Sequence, residues 1–599
     1  MSRRAILRGV TCAVAASGLV LGATAGTAGA AQPQVRAMLA NTAPAWMAHA
    51  KNVGKADNSG TVNLRVYLAP RSGVAALQSA VAAVSTPGSP SYRHFITPAQ
   101  YNATYAPTTA EVNSVSAWLA SSGLKVTGVE PAHQYLSVRG TVAAAQQAFG
   151  VSVQRYVHDG QSVQAPSGAL TVPVGVAGQV LTVTGLDTTQ RANKTAATPP
   201  PPPAGFVNAR PCSIFSGQIQ AKFKADFKTP LPKFNGKTLD YAPCGFTGPQ
   251  LRAAYEGFTN LDGTGVTVAT TLWFGSSTIA SDVATYANNH GDGGYAPGQF
   301  TQAPHPAFNL DPQCDPSGVQ SEQALDIEAV HAMAPAANIR YYAGKDCFDT
   351  SLIDMLGQID KENKVQLVSS SWGATEEGAS AGTIPAYEQV FMQGALQGIS
   401  FMFSSGDNGD ELANTGLKQA DFPTSDPFVT SVGGTSTAID ANGNLAWQTG
   451  WGTNRFALAS NNTWAPTGFL YGAGGGFSML FNRPTYQNGV VPASSPPGRA
   501  VPDVAMDADP NTGMLIGLTQ TFPDSVHYGE FRIGGTSLSS PLFAGMTALS
   551  FQNSGGAVGL LNPTIYGQTK ANAGTFSDVT AAQPLPAEVR VDYVNGVDP

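Results

Sequence analysis

The sequence predicts two folded units of different class: an α+β unit over residues 31–187, and an α/β domain over residues 208–599 built on a parallel sheet covered on both faces. Three observations predict this. The run Pro199–Pro203 lies in a Thr-, Ala- and Pro-rich stretch spanning 188–207, the composition of an extended, protease-accessible linker. Beyond it, short β-rich runs ending in Gly, Ser or Asp alternate with helical stretches, the pattern of a parallel sheet. The charge also changes sign. Residues 31–190 hold nine Lys/Arg against five Asp/Glu, and residues 191–599 hold 20 against 34, a balance of +4 beside −14.

Taken in order, Met1–Ala30 reads as a signal peptide: Arg3, Arg4 and Arg8 precede an apolar run that ends at Ala28-Gly29-Ala30, an A-x-A cleavage pattern. The Ser2–Arg8 stretch also resembles a twin-arginine export signal. No later segment holds the eighteen or so uncharged apolar residues of a membrane helix, so an exported, extracellular protein free of the membrane is expected. The 599 residues exceed a single core, and 66 Gly, 42 Pro and only 12% charged residues suit a secreted chain that must tolerate unusual pH. A basic first unit and an acidic second unit are expected to dock on each other, so nucleic-acid binding is not read here. Once Cys12 leaves with the signal, Cys212, Cys244, Cys314 and Cys347 remain. Pairing of nearer neighbours, Cys212 with Cys244 and Cys314 with Cys347, is favoured over the other two connectivities. No C-x-x-C suggests zinc.

In the first unit, Val62–Leu68, Tyr135–Val138 and Val151–Tyr156 read as strands, and Val74–Ala83 and Glu111–Ser121 as helices. None carries a catalytic cluster. An exported basic unit, a cleavable linker and a larger acidic unit make the layout of a zymogen. In the second unit, Val266–Leu272, Asn338–Tyr342, Val365–Ser370 and Ser400–Ser404 read as strands. Gln320–Met333, Leu352–Lys361 and Ala386–Gln397 read as the helices between them. Functional residues are expected at the carboxyl ends of such strands.

The chain is organised around Gly534-Gly535-Thr536-Ser537, which runs into the largely apolar stretch Leu542–Gln552. Ser537 there starts a helix, beside unpaired N–H groups that stabilise developing negative charge. That suits a nucleophile, and it equally describes a plain N-cap. A serine needs a base. His49, His94, His133 and His158 fall in the first unit, His290 and His305 in a Gly/Pro/Asn-rich loop, and His527 after another loop. His331 lies on a helix, opposite its apolar face, so a Ser-His-Asp triad is unsupported. Carboxylates offer more. On the Gln320–Met333 helix, Glu322 and Asp326 fall within one arc with Leu325, Ala329, Val330 and Met333, while Glu328 and His331 face away. Acids four apart are often a solvated face. Inside an apolar stripe they must instead be buried, and two together repel unless they share a proton. Asp407 follows the Ser400–Ser404 strand just before Asn408-Gly409 and reads alone as a turn residue.

Together, Glu322-x-x-x-Asp326-Ile327-Glu328, Ser370-Ser371-Trp372-Gly373, Ser405-Gly406-Asp407, Phe422-Pro423 through Val432-Gly433-Gly434-Thr435, Gly474–Ser478, Val501–Ala505 and Gly535-Thr536-Ser537 resemble the sedolisin family of serine-carboxyl peptidases, along nearly the whole exported chain. The resemblance implies a subtilisin-like catalytic domain preceded by an activation propeptide. It implies Ser537 as nucleophile, Glu322 as general base, Asp326 orienting Glu322, Asp407 donating to the oxyanion, and Trp372 near the site. A further Glu that some members carry on the first strand is absent around Thr271–Gly275. One structural calcium ion is implied, with Asp578 and Val579 matching the first half of its site and Val594–Asp598 loosely matching the second. The expected protein is a monomeric, secreted, autoprocessed acid endopeptidase acting on proteins or peptides, with its own propeptide as inhibitor. A tripeptidyl exopeptidase and a non-catalytic peptide-binding relative are the alternatives.

Overall fold

The protein was analysed as a computed structural model, which describes residues 35–591 apart from 133, 159, 190–191, 196–204, 209, 224–229, 257–258, 381, 572–573 and 582–585. The expected signal peptide Met1–Ala30, the run Pro199–Pro203, His133 and Val594–Asp598 lie outside the described residues.

In the first unit, strands Lys125–Val129, Tyr135–Thr141, Thr61–Leu68 and Val180–Thr184 lie side by side in that order, all antiparallel. Alternation along Thr61–Leu68 sends Val62, Leu64 and Val66 into a core shared with Val115 and Leu119 of the Thr109–Ser121 helix. That helix starts in a capping box: Thr108 Oγ1 accepts from Glu111 N at 3.2 Å, and Glu111 Oε2 accepts from Thr108 N at 2.6 Å. The expected Val74–Ala83, Glu111–Ser121 and Tyr135–Val138 are longer, as Val74–Ser85, Thr109–Ser121 and Tyr135–Thr141, and the strand expected at Val151–Tyr156 spans Val153–His158.

The second unit is built on an eight-stranded sheet. Phe300–Pro304, Asn338–Gly344, Thr267–Trp273, Leu367–Ser370, Ser400–Ser404 and Thr430–Ile439 run parallel in that spatial order. Val504–Asp507 adds to the last of these in parallel, and Leu445–Gly450 closes it antiparallel. Register places Thr271, Ser370, Phe403 and Ser431 opposite one another. Ser371 and the Ser405-Gly406-Asp407 segment therefore leave adjacent strands at the same carboxyl edge.

The Gly318–Met333 helix departs from the expected single apolar stripe. Every residue from Ser321 to Met333 is buried, Glu328 and His331 included. The face expected to point away is covered by the antiparallel hairpin Met514–Thr521 and Val526–Ile533 and by the loop near Gly293. There Glu328 Oε2 accepts from Gly517 N at 3.0 Å, and His331 Nε2 lies 3.2 Å from Gly293 O. His290, expected in a loop, ends the Ile279–His290 helix and pairs with Glu530 at 3.0 Å. The Thr536–Ser554 helix crosses the Gly318–Met333 helix at Gly545, where a Cβ would stand 2.6 Å from Met333 Cβ and 3.0 Å from Val330 O. Only glycine allows that approach.

The two units touch through the Asp349–Glu362 and Ile384–Leu396 helices. Arg65 forks onto both oxygens of Asp354 at 2.7 Å, Gln134 Nε2 donates to Gln393 Oε1 at 2.6 Å, and Tyr101 packs with Met392 and Leu396. Disulfides join Cys212 to Cys244 and Cys314 to Cys347, the pairings favoured from the sequence.

Candidate active site

Ser537 is the second residue of the Thr536–Ser554 helix and is fully buried. It is lifted there by Gly535, whose φ of 103° is open to glycine and costly for other residues. Gly535 N donates to Ala508 O at 2.6 Å, which ties the turn to the end of the Val504–Asp507 strand. Pro541 stands four residues beyond Ser537 and has no N–H, so the Ser537 carbonyl lacks its intrahelical donor. The Ser371 hydroxyl approaches that carbonyl at 3.4 Å.

The same hydroxyl donates to Asp326 Oδ1 at 2.6 Å. Glu322 and Asp326 lie one helical turn apart, both with no exposed surface. Burial is the main cause that pushes both carboxyls well above their ordinary range. For Glu322 the charge of Asp326 adds to it, and that of Asp407 adds less. The hydroxyls of Ser537 and Ser371 pull Glu322 the other way, yet neither meets strict hydrogen-bond geometry with it. Both Glu322 oxygens, Asp326 Oδ2 and Ser537 Oγ lack a partner of that quality. Two buried acids so placed favour a state that holds a proton between them.

Asp407 follows the Ser400–Ser404 strand, and its Oδ1 accepts from Thr536 N at 2.8 Å and Thr536 Oγ1 at 2.9 Å. It therefore caps the helix that carries Ser537. Trp372 is buried beside the site, and its Nε1 donates to Thr271 Oγ1 at 3.1 Å, which in turn lies 2.7 Å from Ser370 Oγ. Thr271 thus stands on the first strand, in the stretch where no Glu was found, with its hydroxyl against Ser370 of the adjacent strand. His331 is stacked on Tyr295, and burial lowers its pKa to about 4, so it is neutral at pH 7. Its hydrogen-bonding nitrogen faces Gly293.

The structure thus brings Ser537, Glu322, Asp326 and Asp407 together. The sequence reading missed Ser371 as their link, although it lay inside a motif already singled out, and Pro541 as the residue that frees the Ser537 carbonyl. Asp578 and Val579 lie apart, exposed on an irregular segment. One carboxylate and neighbouring carbonyls are donors of the type calcium takes, but they fall short of its six to eight ligands. Among the described residues no group of three or more His, Cys, Asp or Glu could hold a metal ion.

Residues 48–189 match the pro-kumamolisin activation domain, and residues 307–565 match the subtilase family. Kumamolisin of Bacillus sp. (strain MN-32) is 30% identical over 450 residues, 74% of this chain and 71% of that protein. Sedolisin of Pseudomonas sp. (strain 101) is 27% identical over 522 residues, covering 84% of this chain and 79% of its own. Tripeptidyl-peptidase 1 of Canis lupus familiaris is 30% identical over 284 residues, 43% of this chain and 44% of that one. The chain therefore belongs to the sedolisin family, with a pro-kumamolisin activation domain ahead of a subtilisin-like serine peptidase domain.

Proposed function

We propose that the protein is a secreted, acid-active serine-carboxyl endopeptidase, made as a zymogen that removes its own activation domain at low pH. The observation that carries this reading is the buried Glu322–Asp326 pair beside Ser537, in a site whose partners are carboxyls and hydroxyls in place of histidine. In this reading Glu322 takes the Ser537 proton as Oγ bonds to the peptide carbonyl carbon. Asp326 holds Glu322 in place, and Asp407 donates to the oxyanion. Glu322 then gives that proton to the leaving amine as the C–N bond breaks; water next attacks the acyl carbon while Glu322 takes its proton, and Ser537 Oγ leaves and regains that proton from Glu322.

The four remaining cysteines in two disulfides support export. We propose that Asp578 and Val579 contribute ligands to one structural calcium ion. The tripeptidyl-peptidase likeness favours release of tripeptides from N-termini as the second reading.

The test is to hold the purified precursor at acidic pH, follow its length, and give it a protein substrate. The expected result is loss of the activation domain with internal cleavage of the substrate, and neither event in Ser537→Ala. Tripeptides alone would establish the second reading. No cleavage at any pH, or an active Ser537→Ala, would overturn both.

A further inference from the structure

Six of the 20 Lys/Arg in residues 191–599 fall within residues 208–239, against a single Asp, although this unit as a whole is acidic. The Cys212–Cys244 disulfide closes the stretch into a cap. The inner side of the cap is apolar: Ala221 and Tyr241 are buried with Val589 and Val591, and Leu231 and Leu239 pack against them. Backbone bonds tie its segments together, Ala221 N donating to Leu239 O at 2.8 Å and Leu231 N to Lys222 O at 2.9 Å.

What remains outside is basic and aromatic. Lys222, Lys233 and Lys237 are exposed, and none of the three is ion-paired among the described residues. Phe223 directly follows Lys222 and is 42% exposed. Asn235 and Gly236, with φ of 49° and 79°, turn the chain so that Phe234 and Lys237 exchange backbone hydrogen bonds at 2.9 and 3.0 Å. Phe234 meets Phe456 edge to face with ring centres 4.9 Å apart, and Phe456 is itself 38% exposed. Phe456 belongs to the antiparallel hairpin Gly452–Leu458 and Trp464–Gly472, which Trp464 Nε1 ties to the cap by donating to Pro232 O at 2.9 Å. This hairpin brings no counter-charge, since residues 441–502 hold no Asp or Glu. Its other end reaches the catalytic edge, where Gly472 N donates to Asp407 O at 2.9 Å. Gly472 lies six residues, about 20 Å of strand, from Pro466, the partner of Phe456.

We propose that the cap and the hairpin tip beside it form a docking surface for an anionic phospholipid membrane, holding the protein on lipid with its catalytic edge close by. Unpaired ammonium groups alone suit any polyanion. Exposed rings beside them need an apolar phase to enter, and a phospholipid surface offers phosphate and acyl chains together. A phosphodiester also keeps its charge at acidic pH, where the carboxylates of a protein partner lose theirs. The contact is peripheral, since no helix among the described residues is long and apolar enough to cross a membrane.

The test is co-sedimentation of the full-length protein with vesicles of pure phosphatidylcholine, or of equal parts phosphatidylcholine and phosphatidylglycerol, at pH 4 and pH 7. Binding to the mixed vesicles is expected to be about ten-fold or more tighter at both pH values, and to weaken as salt is added. Changing Lys222→Gln, Lys233→Gln and Lys237→Gln together should lower that affinity about a hundred-fold, about five-fold for each lysine. Phe223→Ser should weaken it several-fold while leaving the salt dependence in place. These positions are exposed, so the variants should melt with the wild type. Equal binding to the two vesicles, no binding to either, or a triple variant that binds like the wild type would overturn the proposal. So would soluble polyphosphate bound as tightly as the mixed vesicles and unmoved by Phe223→Ser, which would mark a site for a soluble polyanion. Vesicle binding is read without any cleavage, so its outcome is independent of the peptidase reading.

Discussion

The Ser371 hydroxyl donates to Asp326 Oδ1 at 2.6 Å while lying 3.4 Å from the Ser537 carbonyl, so one buried group touches both the acid pair and the backbone of the proposed nucleophile. This bond favours the ionised form of Asp326 against the effect of burial. Ser371→Ala should let the pair keep its proton to higher pH. The acidic limb of the pH–rate profile should then move upward, and kcat/KM should fall by about ten- to a hundred-fold, the weight of one hydrogen bond to a charged group. Ser371→Thr keeps the hydroxyl and should restore the limb. A profile in Ser371→Ala that overlays the wild type would show that the contact only fills space.

Gly545 makes a separate claim about packing. Its missing side chain lets the two helices that carry Ser537 and the Glu322–Asp326 pair approach each other, with Met333 Cβ 2.6 Å from where a Cβ would stand. Gly545→Ala should overpack this contact at a cost of about 1–3 kcal/mol. Thermal unfolding of the precursor should begin a few degrees lower, and activity should drop as the two helices separate. An unchanged melting curve would mean that the helices have room to shift.

Much of this arrangement is legible in the sequence, and what is not has a physical cause. Glu322 and Asp326 announce themselves because acids inside an apolar arc must be buried, and Gly534-Gly535 marks the turn before Ser537. Burial of Glu328 and His331 is not legible from the helix alone, because Glu328 is covered by a hairpin nearly two hundred residues away whose Gly517 N–H supplies its partner, and His331 by the loop that carries Gly293 and Tyr295. Ser371 is visible as part of a motif, but a hydroxyl at the end of a strand does not say which helix passes above it. Thr271 likewise reads as an ordinary strand residue until Trp372 Nε1 is seen donating to it.

Stability should fall as pH rises toward neutrality. Asp360 is fully buried with both oxygens unpartnered, and burial raises its pKa; Glu322, Asp326, Glu328 and Asp507 are raised mainly by burial too. A carboxyl whose folded pKa is raised holds its proton more tightly in the folded state. Its contribution is complete below about pH 4, the unfolded value, and is lost as pH climbs through the raised one. Carboxylates shifted the other way, such as Glu362, whose side chain is 20% exposed and accepts from Gln358 and Tyr342, lie nearer solvent and contribute less. The full-length Ser537→Ala protein should therefore unfold at higher temperature at pH 4 than at pH 7. The reverse order would show that paired surface carboxylates dominate.

Release of the activation domain should be hastened by weakening its charge contacts. The Arg65–Asp354 fork joins the two units with side chains 25% and 41% exposed, so acid reaches it readily. Protonating surface carboxylates below about pH 4 removes much of the negative charge that attracts the basic first unit. Asp354→Asn mimics that step at one site, and its precursor should shorten a few-fold faster than wild type at pH 5, the modest scale of an exposed ion pair. Equal rates, with the wild-type precursor maturing as fast at pH 7 as at pH 4, would place the trigger elsewhere.

In the proposed mechanism Asp407 donates to the oxyanion, which only a protonated carboxyl can do, so activity should vanish as pH rises and an ionised Asp407 would repel that charge. The structure sharpens how this is tested. Asp407 Oδ1 is held as an acceptor by Thr536 N and Oγ1, so the proton that matters belongs on Oδ2. In Asp407→Asn the amide carbonyl can keep both contacts to Thr536, which places the NH2 group where Oδ2 stood. A donor then remains at every pH, though a neutral amide donates more weakly than a carboxylic acid. The maximal rate should be lower, and the alkaline fall-off should move to higher pH, limited then by some other group. In the proposed mechanism Glu322 needs the opposite state, ionised to accept the Ser537 proton, so the optimum should fall among carboxyl pKa values, roughly pH 3–5, in the wild type. A pH–rate profile of Asp407→Asn with its alkaline limb unmoved would show that Asp407 is not the group that switches the enzyme off.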